Sequence, residues 1–259
     1  SRDVQTHELV VTGMSNLHLD VILSRLKSRY DIEVESRQPK IPHKETITTK
    51  AKAQYKHKKQ TGGKGQYGEV YLRIEPLERG GGFEFVSKIV GGAIPSQYIP
   101  AVEKGLKETI AKGILSNNPI VDVKVELYDG TFHNVDSSEA AFKIAASKAF
   151  NLAFNDAKPV LLEPVVNIEV TIPSEFMGDI TGNLSSRRGR VQGMDSFGDL
   201  QVLKASIPMD EVKNYETELK SMTGGRGSYT MELSHYDIVP SHLTQAIIAQ
   251  AKKEAQTVD

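Results

Sequence analysis

Apolar positions along this chain follow two periods, one of three to four residues and one of two, and the alternation between them lays out its elements. Glu8 to Thr12 reads as a short strand broken by Gly13. Ser15 then caps a helix with Leu19, Ile22, Leu23 and Leu26 on one stripe, and Asp31 to Glu35 alternates as a second strand. These first residues cannot close a core of their own and read as half a domain.

After Pro39 and Pro42, a long strand is predicted from Glu45 to His57, followed by a polar turn from Gln60 to Gly65 and a return strand from Glu69 to Ile74. That is a hairpin with a Lys- and Gly-rich tip. Gly80 to Gly82 turns the chain into a strand at Phe83–Val86. Pro100 opens a helix striped by Val102, Leu106 and Ile110 and closed by Gly113. Ile120 to Tyr128 alternates as a strand ending at Asp129-Gly130. Asp136 and Glu139 form a capping pair for a long helix whose buried face carries Phe142, Ala145, Ala146, Ala149, Phe150 and Ala153.

From Val165 the pattern resets into strand (165–172), helix (Phe176, Ile180, Leu184), strands near 190–194 and 200–207, helix (Val212, Tyr215, Leu219) and strand (228–234). This is the β-α-β-β-α-β order of a ferredoxin-like domain. A final amphipathic helix runs from about Ser241 to Ala255.

The 259 residues therefore form a multi-domain α+β chain, with 39% hydrophobic and 25% charged residues, in the range of ordinary globular proteins. No apolar run reaches the ~18 residues of a membrane span. The first residues lack the order of a secretory signal. The absence of Cys excludes disulfides, thiolate metal sites and cysteine nucleophiles. The net charge of −1 conceals a local patch. Residues 44–64 carry Lys44, Lys50, Lys52, Lys56, Lys58, Lys59 and Lys64 against the single acid Glu45, a charge balance that steers anionic partners.

Gly63, Gly65 and Gly68 satisfy G-x-G-x-x-G, but a strand follows where dinucleotide binding needs a helix, and the other kinase strings are missing. Neither this cluster nor Thr223–Gly227 has phosphate-loop spacing. A hairpin tip with glycines at positive φ is the plain reading. The adjacent lysines, with Gln60, Gln66 and Tyr67, favour nucleic acid over a merely solvated face. His133 stands on a loop beside Phe132, without a nucleophile elbow or a metal-ligand partner in sequence, and is suited to stack on or donate to RNA. Arg187, Arg188 and Arg190 gather at a helix end, where cations favour the dipole and phosphate binding is the competing role.

Several strings are more specific than composition. KKQTGGKGQYGEV (58–70), GFEFVSKIVGGAIPSQYIPAV (82–102), YDGTFHNVDSSEAAFKIAAS (128–147), LLEPVVNIEVTIP (161–173), FMGDITGNLSSRRGRVQGM (176–194) and TGGRGSYTMELSHYDIVP (223–240) closely resemble elongation factor G. GMSNLHLDVILSRLKSRYDIEV (13–34) resembles the second half of that family's third domain.

The resemblance implies a boundary for each piece. Residues 1–38 become the second half of domain III, incomplete and ferredoxin-like; 39–163 become domain IV, an α+β domain like the second domain of a small-subunit ribosomal protein. Residues 164–239 become the ferredoxin-like domain V, and 240–259 a helix returning to domain IV. It further implies the ribosome-binding half of a monomeric, cytoplasmic translocation factor whose partners are the small-subunit decoding region, the tRNA–mRNA duplex and the large-subunit factor-binding RNA.

The family's GTPase strings are absent from this sequence, so no GTP hydrolysis is expected of it, and GTP with Mg²⁺ belongs to an upstream domain. The tip is implied at Lys58, Lys59, Gln60, Thr61, Gly62, Gly63, Lys64, Gly65, Gln66, Tyr67, Phe132, His133 and Asn134. His133 matches the position that eukaryotic and archaeal relatives modify to diphthamide; the other strings look bacterial, so an unmodified His is expected. Arg187, Arg188, Arg190 and Arg226 are the implied phosphate contacts of domain V. Asn134 stands where the family commonly has an acid and Ser185 where it has Asn, which fits a paralogue for ribosome recycling or regulation. A stand-alone RNA-binding protein is the alternative outside the family.

Overall fold

The computed structural model describes residues 1–259 except 3–5, 7, 14, 61–64 and 257–259. It divides into two units, Ser1–Pro42 with Glu163–Asp237, and His43–Leu162 with Ile238–Asp259. Among the described residues no helix is long and apolar enough to cross a membrane.

In the first unit, α1 (Asn16–Tyr30) begins at Ser15, whose hydroxyl accepts the N–H of His18 at 3.2 Å, and ends at Asp31 in the left-handed conformation. Its predicted stripe is half-buried. The strands expected at 8–12 and 31–35 do not form. Leu9 makes one isolated bridge to Arg2, and 31–43 is irregular, with Ile32 and Val34 about half exposed. Alternation alone cannot satisfy a strand's backbone groups, and no neighbouring strand lies beside these segments among the described residues.

The second unit contains β1 (Lys44–Ile47), β2 (Ala51–Lys59), β3 (Gln66–Pro76), β4 (Phe83–Ser87), α2 (Ile99–Lys112), β5 (Val123–Thr131) and α3 (Glu139–Asp156). The strand predicted from Glu45 to His57 is two strands. β1 pairs antiparallel with residues 159–162 at the start of β6 (Pro159–Pro173), whereas β2 pairs with β3, and the chain changes sheets between them. The sheet order is β2-β3-β5-β4, antiparallel except for β4 beside β5.

Val70, Leu72 and Ile74 on one face of β3 are fully buried with Val102 and Leu106 of α2 and with Phe142, Phe150 and Phe154 of α3. Burying each of those rings contributes about 1.5–3 kcal/mol. The alanines between them keep α3 close to its neighbours. At Gly105 of α2 an added Cβ would lie 2.5 Å from the carbonyl of Lys143, so the two helices meet there through backbone.

Glu45, the lone acid of the basic stretch, points inward. Its fully buried carboxylate accepts the N–H groups of Ile114, Leu115, Ser116 and Asn118 and the Ser116 hydroxyl, holding the loop after α2. The cap of α3 is Ser138, which accepts the N–H of Ala141 at 3.2 Å, rather than Asp136. Asp136 is engaged elsewhere, as described below.

The first unit resumes with the rest of β6, α4 (Met177–Ser186), β7 (Arg190–Phe197), β8 (Leu200–Pro208), α5 (Tyr215–Met222) and β9 (Ser228–Ile238). β6 pairs with β8 and β9, and β8 with β7, giving the spatial order β9-β6-β8-β7. This is the ferredoxin-like arrangement the sequence order implies. Ile168, Val170 and Ile172 pack with Ile180, Leu184, Tyr215 and Leu219 in its core. α5 starts later than predicted because Asn214, at φ 61°, ends the preceding turn. α6 (Ser241–Gln256) belongs to the second unit.

Candidate nucleic-acid interface

The β2–β3 hairpin sets Lys59 opposite Gln66, Lys58 opposite Tyr67 and Lys56 opposite Glu69. Period-two alternation turns Ala51, Ala53 and Tyr55 into the core and leaves Lys52, Gln54, Lys56 and Lys58 exposed. Lys59, Gln60 and Gln66 are also exposed, and Gln66 Oε1 lies 2.9 Å from His57 Nε2. Thr61, Gly62, Gly63 and Lys64 lie outside the described residues.

Gly65 is where the hairpin meets the loop after β5. Its N–H donates to Asp136 Oδ1 at 3.0 Å, and an added Cβ would stand 2.8 Å from the Asp136 carboxyl carbon. Two residues on, the Tyr67 N–H donates to the Asp136 carbonyl at 2.9 Å. The Ser137 hydroxyl donates to the Tyr67 carbonyl at 3.0 Å and accepts the His133 N–H at 2.9 Å. The Ser137 N–H closes the loop onto the His133 carbonyl at 3.1 Å.

The His133 ring is fixed by the same loop. Its Nδ1 faces the loop, 3.3 Å from the N–H of Val135, 3.2 Å from that of Asp136 and 3.5 Å from the Asp136 carboxylate, which leaves the Nε2 edge outward. The side chain is 54% exposed. The Tyr67 ring lies 6.2 Å from it, tilted by 49°, and Lys56 Nζ sits 5.3 Å over the Tyr67 ring. Phe132 and Asn134 are exposed on either side. The geometry thus unites Gly65, Tyr67 and His133 in one hydrogen-bonded network, with Lys58, Lys59 and Gln66 at the hairpin end.

Beneath them is a buried carboxylate. Glu69 Oε2 accepts from Thr131 at 2.6 Å and Tyr67 at 3.1 Å, and Gln54 donates to Oε1. Burial opposes ionisation of Glu69, but the hydrogen bonds from Thr131, Gln54 and Tyr67, with the Lys56 charge, outweigh it and hold its carboxyl below the ordinary value. The sequence does not single out Glu69 or Ser137 for this site, and it marks Asp136 only as a helix cap. Strand alternation places Tyr67 and Glu69 on one face, a usable signal; nothing local announces the partnership of Ser137 with a carbonyl 70 residues away.

In the other unit the arginines differ. Arg187 pairs with Glu218, donates to the Glu211 carbonyl at 2.6 Å and lies 5.4 Å over the Tyr215 ring. Arg188 makes two bonds to the nearly buried Glu163 and lies 3.7 Å from Glu211. Both guanidinium groups are thus engaged inside the protein, which weighs against the phosphate role expected for them. Arg226 pairs with the exposed Glu175 at 2.7 Å and sits 4.8 Å over the Phe176 ring. Arg190 is exposed, with no side-chain partner among the described residues.

Comparison with known proteins adds the family context. Residues 1–38 match the family model for elongation factor G domain III, 39–158 that for domain IV, and 160–247 that for the elongation factor G C-terminus. An elongation factor G-like protein of Thermotoga maritima is 49% identical over 255 residues, covering 98% of this chain and 37% of that protein. Elongation factor G of Aquifex pyrophilus is 48% identical over 248 residues, covering 96% of this chain and 36% of that one. A solved structure from Thermus thermophilus superposes with a TM-score of 0.85 at 45% identity, covering 98% of this chain and 38% of that chain. The chain spans less than two fifths of the length of these relatives.

Proposed function

The chain belongs to the elongation factor G family, and from that premise we propose that it is the ribosome-contacting part of a factor promoting GTP-dependent translocation of tRNA and mRNA in the cytoplasm. In this reading residues 1–38 end domain III, 39–163 form domain IV, 164–239 form domain V, and the last helix leans on domain IV. The chain supplies shape and contacts rather than bond chemistry. GTP and Mg²⁺ are handled by parts of the family that it does not match.

The observation that carries the reading is the tip network. Two loops distant in sequence are tied through Tyr67, Asp136 and Ser137, and His133 presents its Nε2 edge from them beside exposed lysines. A group that blocks the back-sliding of an RNA duplex must be positioned before contact, because ordering it on binding would consume the contact energy. The lysines neutralise phosphates, while Tyr67, Phe132, His133 and Asn134 offer stacking and hydrogen bonds. Arg190 and Arg226 are the domain V side chains best placed for RNA phosphates, being exposed.

A recycling or regulatory paralogue is the second reading, favoured by Asn134 and by the elongation factor G-like relative. The test is single-turnover translocation and phosphate release, timed together on a full-length factor carrying this region. His133→Ala is expected to slow translocation about 5- to 150-fold, the loss of one tip contact worth about 1–3 kcal/mol felt at the transition state, with phosphate release nearly unchanged. Equal slowing of both steps refutes the tip assignment. A wild-type factor that splits ribosomes but does not translocate selects the paralogue.

A further inference from the structure

The second unit has a further face that the tip does not use. α2 and α3 cover one side of the β2-β3-β5-β4 sheet, where Val70, Leu72 and Ile74 are buried. On the other side Lys52, Lys56 and Lys58 repeat along β2, exposed, with a two-residue spacing of about 6.8 Å between Lys56 and Lys58. Directly paired residues share a face, so Lys58 stands beside Tyr67, Gln54 beside Tyr71 and Lys52 beside Arg73. Tyr71 meets Tyr128 of β5 edge to face at 6.1 Å, and Arg73 lies 5.1 Å over the Tyr128 ring.

Most carboxylates of this face are matched internally, while Asp129, across from Tyr71, is exposed and accepts the N–H of Gly130 at 2.8 Å. Glu126 pairs with Arg73 at 2.8 Å and Lys88 at 2.6 Å, Glu75 with Lys50 at 2.7 Å, and Glu84 with Lys124 at 2.8 Å. Glu69 is buried under hydrogen bonds, with Lys56 3.9 Å away. Among the described residues Lys52 and Lys58 have no carboxylate partner. The result is a row of cations along the β2 edge, running beside three partly exposed tyrosines.

We propose that this open sheet face binds single-stranded RNA, with Lys52, Lys56 and Lys58 against phosphates and Tyr67, Tyr71 and Tyr128 as the stacking surface. The inference rests on the reading of this unit as RNA-binding, and extends it from the loops to the sheet. Charge complementarity selects a polyanion. The rings select unpaired bases, because only bases out of a duplex present their faces. An acidic peptide satisfies the lysines but leaves the rings unused.

The experiment is fluorescence anisotropy of a labelled oligouridine of about ten nucleotides with the full chain across a salt series. Three phosphate contacts predict a contribution of about −2 to the slope of log affinity against log salt. Combined Lys52→Gln, Lys56→Gln and Lys58→Gln substitution is expected to remove that contribution. Tyr71→Leu should weaken binding about 5- to 150-fold, with Tyr71→Phe restoring it. Tyr71 makes no part of the network of Tyr67, His133, Asp136 and Ser137, so oligouridine binding read on Tyr71→Leu and translocation read on His133→Ala report on different residues, and failure of the tip reading and failure of this one are separate results.

Absence of oligouridine binding at low salt overturns the proposal. So does binding indifferent to the lysine substitutions or to Tyr71→Leu in a variant with a native circular dichroism spectrum. Equal affinity for duplex RNA or for polyglutamate overturns it as well, in favour of bare charge.

Discussion

The hydroxyl of Ser137 lies 3.0 Å from the carbonyl oxygen of Tyr67, and through this contact the loop carrying His133 is fastened to the lysine hairpin. Ser137 is nearly buried, so the groups it serves have no ready water in its place. Ser137→Ala strands the Tyr67 carbonyl and the His133 N–H together. A loss of about 1–3 kcal/mol is expected in urea unfolding, with faster amide exchange at His133. Ser137→Thr, which keeps the hydroxyl, should recover most of it. Unchanged exchange at His133 in the alanine variant would show that the loop holds without the latch.

Glu69 gives the tip a pH dependence of definite sign. Its folded carboxyl titrates below the ordinary value of 4.5, so ionisation favours the folded state. That stability is fully present above pH 4.5 and is lost as pH falls through the folded value. Glu69→Gln should therefore destabilise the unit near neutral pH by about 1–3 kcal/mol, through imperfect replacement of the bonds from Thr131 and Tyr67. The gap from wild type should close on acidification. Unfolding curves between about pH 6 and pH 3 measure it, and a gap that widens in acid contradicts the assignment.

How far the sequence discloses this architecture depends on the range of the forces involved. The Phe142–Ala153 stripe of α3 and the β-α-β-β-α-β order of 163–237 follow from local period, and the structure contains both. Sheet membership does not, so the Glu45–His57 run breaks where β1 turns to pair with β6. Ile32 and Val34 have the alternation of a strand without a neighbour, among the described residues, to complete it. The lysines and glycines of the hairpin are legible as composition. Asp136 reads locally as a helix cap, but its Oδ1 accepts the N–H of Gly65, 71 residues away, and Ser138 takes the cap. Glu45 is the plainest case: a charge among lysines that belongs to the core.

Arg188 and Arg190 should separate structure from surface. Arg188→Ala leaves Glu163 without its bidentate partner in a nearly buried position, at a cost of about 2–4 kcal/mol. Arg188 also follows the cap of α4 at φ 61°, so Arg188→Gly should be less damaging than Arg188→Ala by about 1 kcal/mol. Arg190→Ala should change stability by no more than about 0.5 kcal/mol. Denaturation of the three variants checks the ranking, and an Arg190 variant as unstable as Arg188→Ala refutes it.

Glu45→Gln should be among the most damaging single-atom exchanges in the second unit. Both carboxylate oxygens face donors: Oε2 accepts the N–H groups of Ile114 and Leu115 at 2.8 and 2.9 Å, and Oε1 accepts those of Ser116 and Asn118 together with the Ser116 hydroxyl. An amide must aim its NH₂ at one of these sets, since either flip places donor against donor. The side chain is fully buried, so water cannot take the orphaned N–H groups. With at least two charge-assisted bonds lost, the expected destabilisation is about 3 kcal/mol or more. Glu45→Asp keeps the charge but shortens the reach, and should fall between Glu45→Gln and wild type. The oligouridine affinity of the folded fraction should stay at the wild-type value, because the loop at 114–118 carries none of the lysines or tyrosines of the sheet face. Urea midpoints and anisotropy on the same preparations decide the matter. A Glu45→Gln chain as stable as wild type would mean that this nest of backbone donors does not need a negative charge.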